Sequence, residues 1–171
     1  RAAGAEVASE YYINDAGSQM DTFANSVLAR MHGREVPEGG YPGQYVADIA
    51  EAIRAERPEL AEESEDRARA EVRDRAYALQ MADIRSTLAD FGVRFDVWFS
   101  EQELHSTGAI EKAVDRLREQ GHVYEDGGAV WLRTSTFGDD KDRVLIRADG
   151  QPTYFAADAA YYLDKKDRGF T

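Results

Sequence analysis

The period of apolar and polar positions changes several times along the chain. Glu10-Tyr-Tyr-Ile-Asn14 is a short β-favouring run, and Asp15-Ala-Gly17 after it is a turn signal. Met20, Phe23, Val27 and Met31 then recur every three or four residues, which predicts a helix with one apolar stripe. Ser18 stands where it could cap that helix. Strand, glycine turn and amphipathic helix together make half of a β-α-β unit. From Gly33 to Gly43 glycine, proline and charge take over, and a loop is expected. Helical spacing resumes over about 46–57 and again over 62–91, where Val72, Ala76, Leu79, Ile84, Leu88 and Phe91 carry the repeat and Gly92 stops it.

The remaining pattern is shorter in wavelength. Arg94-Phe-Asp-Val-Trp-Phe99 alternates as a strand, with Ser100 placed to cap a following helix. Ile110, Ala113, Val114 and Leu117 predict a helix over 110–120 that Gly121 ends. Two hairpins are expected, one joining 123–124 to 129–132 through Glu125-Asp-Gly-Gly128. The other joins 144–146 to 152–155 through Ala148-Asp-Gly150, and a last helix runs from about 156 to Gly169. Arg1-Ala-Ala-Gly4 reads as a helix tail closed by a left-handed Gly4, an opening that suggests a truncated chain. No repeat or low-complexity segment interrupts the pattern.

Composition narrows the class. With 171 residues, 43% hydrophobic and 11% aromatic, the chain can bury a core of one-domain size. No apolar run reaches the roughly 18 residues of a membrane span, and no signal-peptide pattern opens the chain. The absence of cysteine excludes disulfides, thiolate zinc sites and a cysteine nucleophile, so a cytoplasmic setting is the simplest expectation. The net charge of −12 repels nucleic acid from the chain as a whole. Arg67, Arg69, Arg73 and Arg75 do cluster, but acidic residues interleave with them, which reads as a solvated helix laced with ion pairs. Any RNA surface is expected elsewhere.

Candidate chemistry is sparse. His32, His105 and His122 lack metal-ligand spacing, and Asp139, Asp140 and Asp142 lack the alternating ligands and glycine of a calcium loop. No nucleophile elbow, Walker loop or dinucleotide fingerprint is present. Tyr154-Phe-Ala-Ala-Asp158 lies where a strand should pass into a helix, the rim at which α/β sheets bind ligands. One helical turn apart, a tyrosine and a carboxylate there would suit a planar cation, because a carboxylate accepts two parallel N–H bonds from a guanidinium. The competing reading makes Tyr154 core and Asp158 a residue that favours the positive end of its helix.

Three separated motifs carry a resemblance. Phe137-Gly-Asp-Asp-Lys-Asp-Arg-Val-Leu-Ile-Arg-Ala-Asp-Gly150, followed by Thr153-Tyr-Phe-Ala-Ala-Asp-Ala-Ala-Tyr-Tyr162, resembles the catalytic domain of bacterial arginyl-tRNA synthetases. Glu10-Tyr-Tyr-Ile-Asn-Asp-Ala-Gly-Ser-Gln19 is similar to that family's second catalytic strand, and Phe95-Asp-Val-Trp-Phe-Ser-Glu101 to its inserted region. The resemblance implies an α/β fold, part of a class I synthetase Rossmann-like catalytic domain with a helix-rich α+β insertion. Residues 1–32 would open the catalytic domain, 33–136 would be the inserted connective region, and 137–171 would return to the catalytic domain. It further implies that Tyr154, Asp158 and Glu101 bind the substrate arginine, with no catalytic or metal-binding residue in this stretch.

The parent enzyme would activate arginine with ATP and Mg2+ and transfer it to tRNA(Arg), acting as a monomer without membrane attachment. The His-x-Gly-His and Lys-Met-Ser-Lys-type motifs of class I synthetases are not in the chain, and neither is a helical anticodon domain. It is therefore expected to be inactive alone, to hold no cofactor, and to self-associate through apolar surface that has lost its neighbours. The rival expectation is a stand-alone arginine-binding or interaction module derived from a synthetase.

Overall fold

The computed structural model describes residues 2–170, in two compact units. The first comprises residues up to 11 together with 15–98, and the second comprises 12–14 together with 99 onward. The chain crosses from one to the other within β1 (Glu10–Ile13) and β2 (Val97–Ser100), which are hydrogen-bonded neighbours. The expected helix tail at the start begins on Arg1, outside the described residues. Ala2–Gly4 forms a turn and bend in which Gly4 takes a left-handed φ of 82°.

The first unit is helical. Its elements are α1 (Ser18–Met31), α2 (Gln44–Glu56), a 3-10 turn at Pro58–Ala61 and α3 (Glu65–Asp90). Phe23, Val27, Leu28 and Met31 of α1 meet Val46, Ile49 and Ile53 of α2 and Ala68, Val72 and Ala76 of α3 in one buried cluster. Ser18 does not cap α1. Gly17, at φ 83°, takes the cap position in backbone space that side-chain-bearing residues rarely adopt, so Ser18 becomes the first helical residue.

The 33–43 stretch is the expected loop, and it is pinned to α1 by a buried serine. The Ser26 hydroxyl donates to the Thr22 carbonyl at 2.7 Å and accepts from the Tyr41 amide at 3.0 Å. Gly40 is required by the same close approach, since a Cβ there would stand 2.8 Å from Ser26 Oγ and 2.5 Å from Val36 Cγ1.

α3 departs from its sequence pattern. The apolar repeat over 72–91 is present, yet Leu79 and Phe91 are exposed, Phe91 by 84%. Length is the reason. At 26 residues α3 extends about 39 Å, whereas α1 and α2 have 14 and 13 residues and extend about 20 Å each, so the shared core covers its N-terminal half, while in the C-terminal half Met81 is buried and Arg85 lies 4.5 Å over the Trp98 ring. Of the basic cluster, Arg75 pairs with Glu56 at 2.6 Å and Glu71 at 3.1 Å, Arg73 with Asp74 at 3.3 Å and Arg69 with Asp66 at 3.4 Å, while Arg57 outside it pairs with Glu59 and Glu71.

The second unit is α/β. β3 (Val123–Asp126), β4 (Ala129–Leu132) and β5 (Arg143–Ile146) form an antiparallel sheet in that order, accompanied by α4 (Glu101–Ser106), α5 (Ala109–Glu119) and α6 (Tyr154–Asp167). The first expected hairpin is present: Asp126 pairs with Ala129, and Gly127 and Gly128 both have positive φ, as a two-residue primed turn demands. The second is not a hairpin of two strands. Pro152 makes a single bridge to Ile146, and Tyr154 and Phe155 already belong to α6. The Thr153 hydroxyl ends the extended run, donating to the Val144 carbonyl at 2.7 Å and accepting from the Ala156 amide at 3.4 Å as the helix N-cap. Ser100 occupies the N-cap position of α4 without a side-chain capping bond. Among the described residues no helix is long and apolar enough to cross a membrane.

Candidate functional site

All three residues expected to hold arginine lie in the second unit, on two helices that pack together, α4 and α6. Tyr154 is the first residue of α6 and is 71% exposed. The reading that made it core is thereby overturned, because the helix starts two residues earlier than its apolar pattern suggests and carries the ring out with its first turn. Asp158, one turn on, is also exposed. Among the described residues no hydrogen bond or ion pair engages the Tyr154 phenol or the Asp158 carboxylate. α6 itself is held by aromatic packing: Tyr161 lies 4.7 Å from both Tyr12 and Phe99, centroid to centroid.

Glu101 is a different kind of carboxylate. It opens α4 and is only 6% exposed, with His105 Nε2 3.9 Å from its Oε1 one turn later. A carboxylate at that depth keeps its charge only with partners, and a cation delivered to it gains more than one bound in open solvent.

A groove of about 590 Å3 runs between α5 and α6 of this unit. Asp158 stands in its lining beside Phe155, Ala159, Tyr162 and Leu163 of α6, with Ala113, Arg116 and Leu117 opposite on α5. Tyr154 and Glu101 are not part of that lining. The structure thus places Asp158 in this groove and does not gather the three residues into its lining. The groove itself escaped sequence reading. Its only signal was that α5 and α6 each carry an apolar stripe, with nothing to say that the stripes face each other.

The remaining candidates are structural. Asp139 is held by Arg143 through Nε at 2.8 Å and Nη2 at 2.7 Å, and Asp140 accepts from the same guanidinium at 2.9 Å. Asp142 accepts from the amide and hydroxyl of Ser135 and from the Tyr124 phenol. The Arg143 hydrogen bonds hold the Asp139 carboxyl well below the usual carboxylate range, and the Ser135 hydroxyl lowers that of Asp142. Among the described residues no three His, Asp or Glu side chains gather as a metal-binding group.

No protein-family model matches the chain. Among curated proteins it is 69% identical to the arginine–tRNA ligase of Pseudarthrobacter chlorophenolicus and 67% identical to that of Paenarthrobacter aurescens, in each case over all 171 residues. It spans 31% of the length of each. Among solved structures, a crystal structure assigned as an arginyl-tRNA synthetase from Campylobacter jejuni superposes with a TM-score of 0.84 at 34% identity, over 94% of this chain and 36% of that one. Aligned over its whole length at that identity and sharing the fold, the chain is similar to a stretch about a third the length of these arginine–tRNA ligases.

Proposed function

We propose that these residues form part of the catalytic domain of an arginine–tRNA ligase. In this reading the domain is Rossmann-like, 33–136 is its helix-rich insertion, and 1–32 and 137–171 belong to the domain proper. The full-length enzyme joins arginine to ATP as arginyl-adenylate with release of pyrophosphate, then passes the arginyl group to tRNA(Arg) in the cytoplasm. The observation that carries the reading is the 69% identity to an arginine–tRNA ligase over the whole chain. Such chemistry proceeds by positioning and by stabilising phosphate charge, with magnesium supplying part of that stabilisation when bound. We assign no catalytic residue and no magnesium ligand to this segment, so alone it is inactive.

Its share of the work is substrate selection. Asp158 accepts two parallel N–H bonds from the guanidinium, Glu101 supplies the second negative charge, and Tyr154 offers a ring face and a hydroxyl. What supports the assignment is the placement of Tyr154 and Asp158 one turn apart on the exposed start of α6, neither engaged by another described residue. The paired carboxylates favour a planar cation, and a neutral isostere such as citrulline would leave one of them unmatched. In the full-length enzyme Asp158→Asn weakens arginine binding by about 1.5–3 kcal/mol, more than tenfold, while the KM for ATP stays level. An unchanged arginine KM in that variant would remove Asp158 from the site.

A further inference from the structure

A cavity of the first unit is lined by none of the residues given a role above. It holds about 700 Å3 where the last turn of α1 meets α2 and the Pro58–Ala61 turn. Four charged side chains line it: Arg30 from α1, Glu51 and Arg54 from α2, and Glu62 after the turn. Arg30 Nε is buried and meets no hydrogen-bond acceptor. Among the described residues, no ion pair or hydrogen bond engages any of these four side chains. That sets the two arginines apart from Arg34, Arg57, Arg69, Arg73 and Arg75 of the same unit, which all pair with carboxylates. Arg30 and Arg54 each stand in the last turn of a helix, where the helix dipole favours a cation. The dipole accounts for the charges but gives the shielded Nε no acceptor. A buried donor left unpaired costs free energy that an oxygen of a ligand would restore.

We infer that this cavity binds a neutral α-amino acid, with Arg30 and Arg54 taking its carboxylate and Glu51 and Glu62 its ammonium group. Two guanidiniums and two carboxylates sum to no charge, so the lining matches a zwitterion. A phosphate or a nucleic-acid backbone held by the arginines would instead meet two carboxylates with nothing to offset them. Ala47, Ala50 and Ala55 share one face of α2 with Glu51 and Arg54, at helical spacing, and line the same cavity. Their methyl groups offer an apolar side chain a surface away from water. The volume is that of an ordinary small-molecule site. The inference does not depend on what Asp158 binds.

Equilibrium dialysis of radiolabelled L-leucine against a full-length arginine–tRNA ligase containing these residues is the test. Leucine is a neutral zwitterion with an apolar side chain, and it carries no guanidinium for Asp158. One leucine should bind saturably per chain with a Kd below about 10 mM. Isocaproate, which lacks the ammonium group, isoamylamine, which lacks the carboxylate, and inorganic phosphate should each compete at least about tenfold less well than leucine. Arg30→Gln should weaken leucine binding at least about tenfold and leave the KM for arginine level. Arg54 is exposed, so Arg54→Gln reads the same loss if Arg30→Gln folds poorly. Absence of saturable binding, or binding indifferent to both substitutions, would overturn the inference. So would phosphate competing as well as leucine, which makes the cavity a simple anion site. Leucine binding that disappears in Asp158→Asn would overturn it too, by placing leucine at the arginine site. Leucine affinity in Arg30→Gln and arginine KM in Asp158→Asn are separate readouts, so either reading can fail alone.

Discussion

Arg143 grips the Asp139 carboxylate with two nitrogens and reaches Asp140 with one of them, and the consequence is a predictable response to acid. A carboxyl whose pKa is lowered in the folded chain contributes its stability in full above the unfolded value, about 4 for aspartate. That contribution drains away as pH falls through the folded value. Melting temperature should hold level from neutrality down to about pH 5 and decline below about pH 4, and Asp139→Asn should flatten part of the decline. An acid slope unaltered by the substitution would show that other groups titrate. The same residues show what sequence can say about single side chains. The aspartates were legible as a polar loop entering a strand, but their partner Arg143 is a strand residue whose direction no spacing rule gives. Asp158 and Glu101 were named together from resemblance, and the fold makes them unlike: one exposed and unengaged, the other 6% exposed and partnered.

Among the elements, those set by local geometry were readable and those set by partners were not. Gly127-Gly128 fixes the β3–β4 turn because both positions need positive φ, and Tyr124 and Trp131 then face each other in register and stack at 6.3 Å. The expected second hairpin competed with a helix start, and the Thr153 hydroxyl decided it by capping α6. In α3 the repeat runs the whole helix, while Ala68, Val72 and Ala76 join the core shared with α1 and α2 and Met81 alone is buried beyond it. Two substitutions separate pattern from packing. Leu28→Ala, inside the shared core of α1, α2 and α3, costs about 2–5 kcal/mol, whereas Phe91→Ser at the bare end of α3 changes stability by less than about 0.5 kcal/mol. Urea denaturation of both variants measures the difference. A large loss from Phe91→Ser would mean that the end of α3 is packed after all.

At the scale of the whole molecule, charge governs what the segment does with tRNA. A surface carrying −12 does not release counterions from phosphates, so filter binding of this chain to tRNA(Arg) at about 0.15 M salt should detect no complex. A tight complex with a steep salt dependence would place an RNA surface on the segment itself. The sequence by itself determined most of the order of strands, helices and turns, the net charge, and the motifs that resemble arginine–tRNA ligases. Those properties are local or additive, carried by spacing, glycine φ and composition. Only the tertiary structure decided which half of α3 is buried, where α6 begins, that Tyr154 stands in solvent, and that α5 and α6 enclose a groove. Each of those depends on what lies across space from a residue, and residues such as Leu117 and Leu163, far apart along the chain, meet only once the chain has folded.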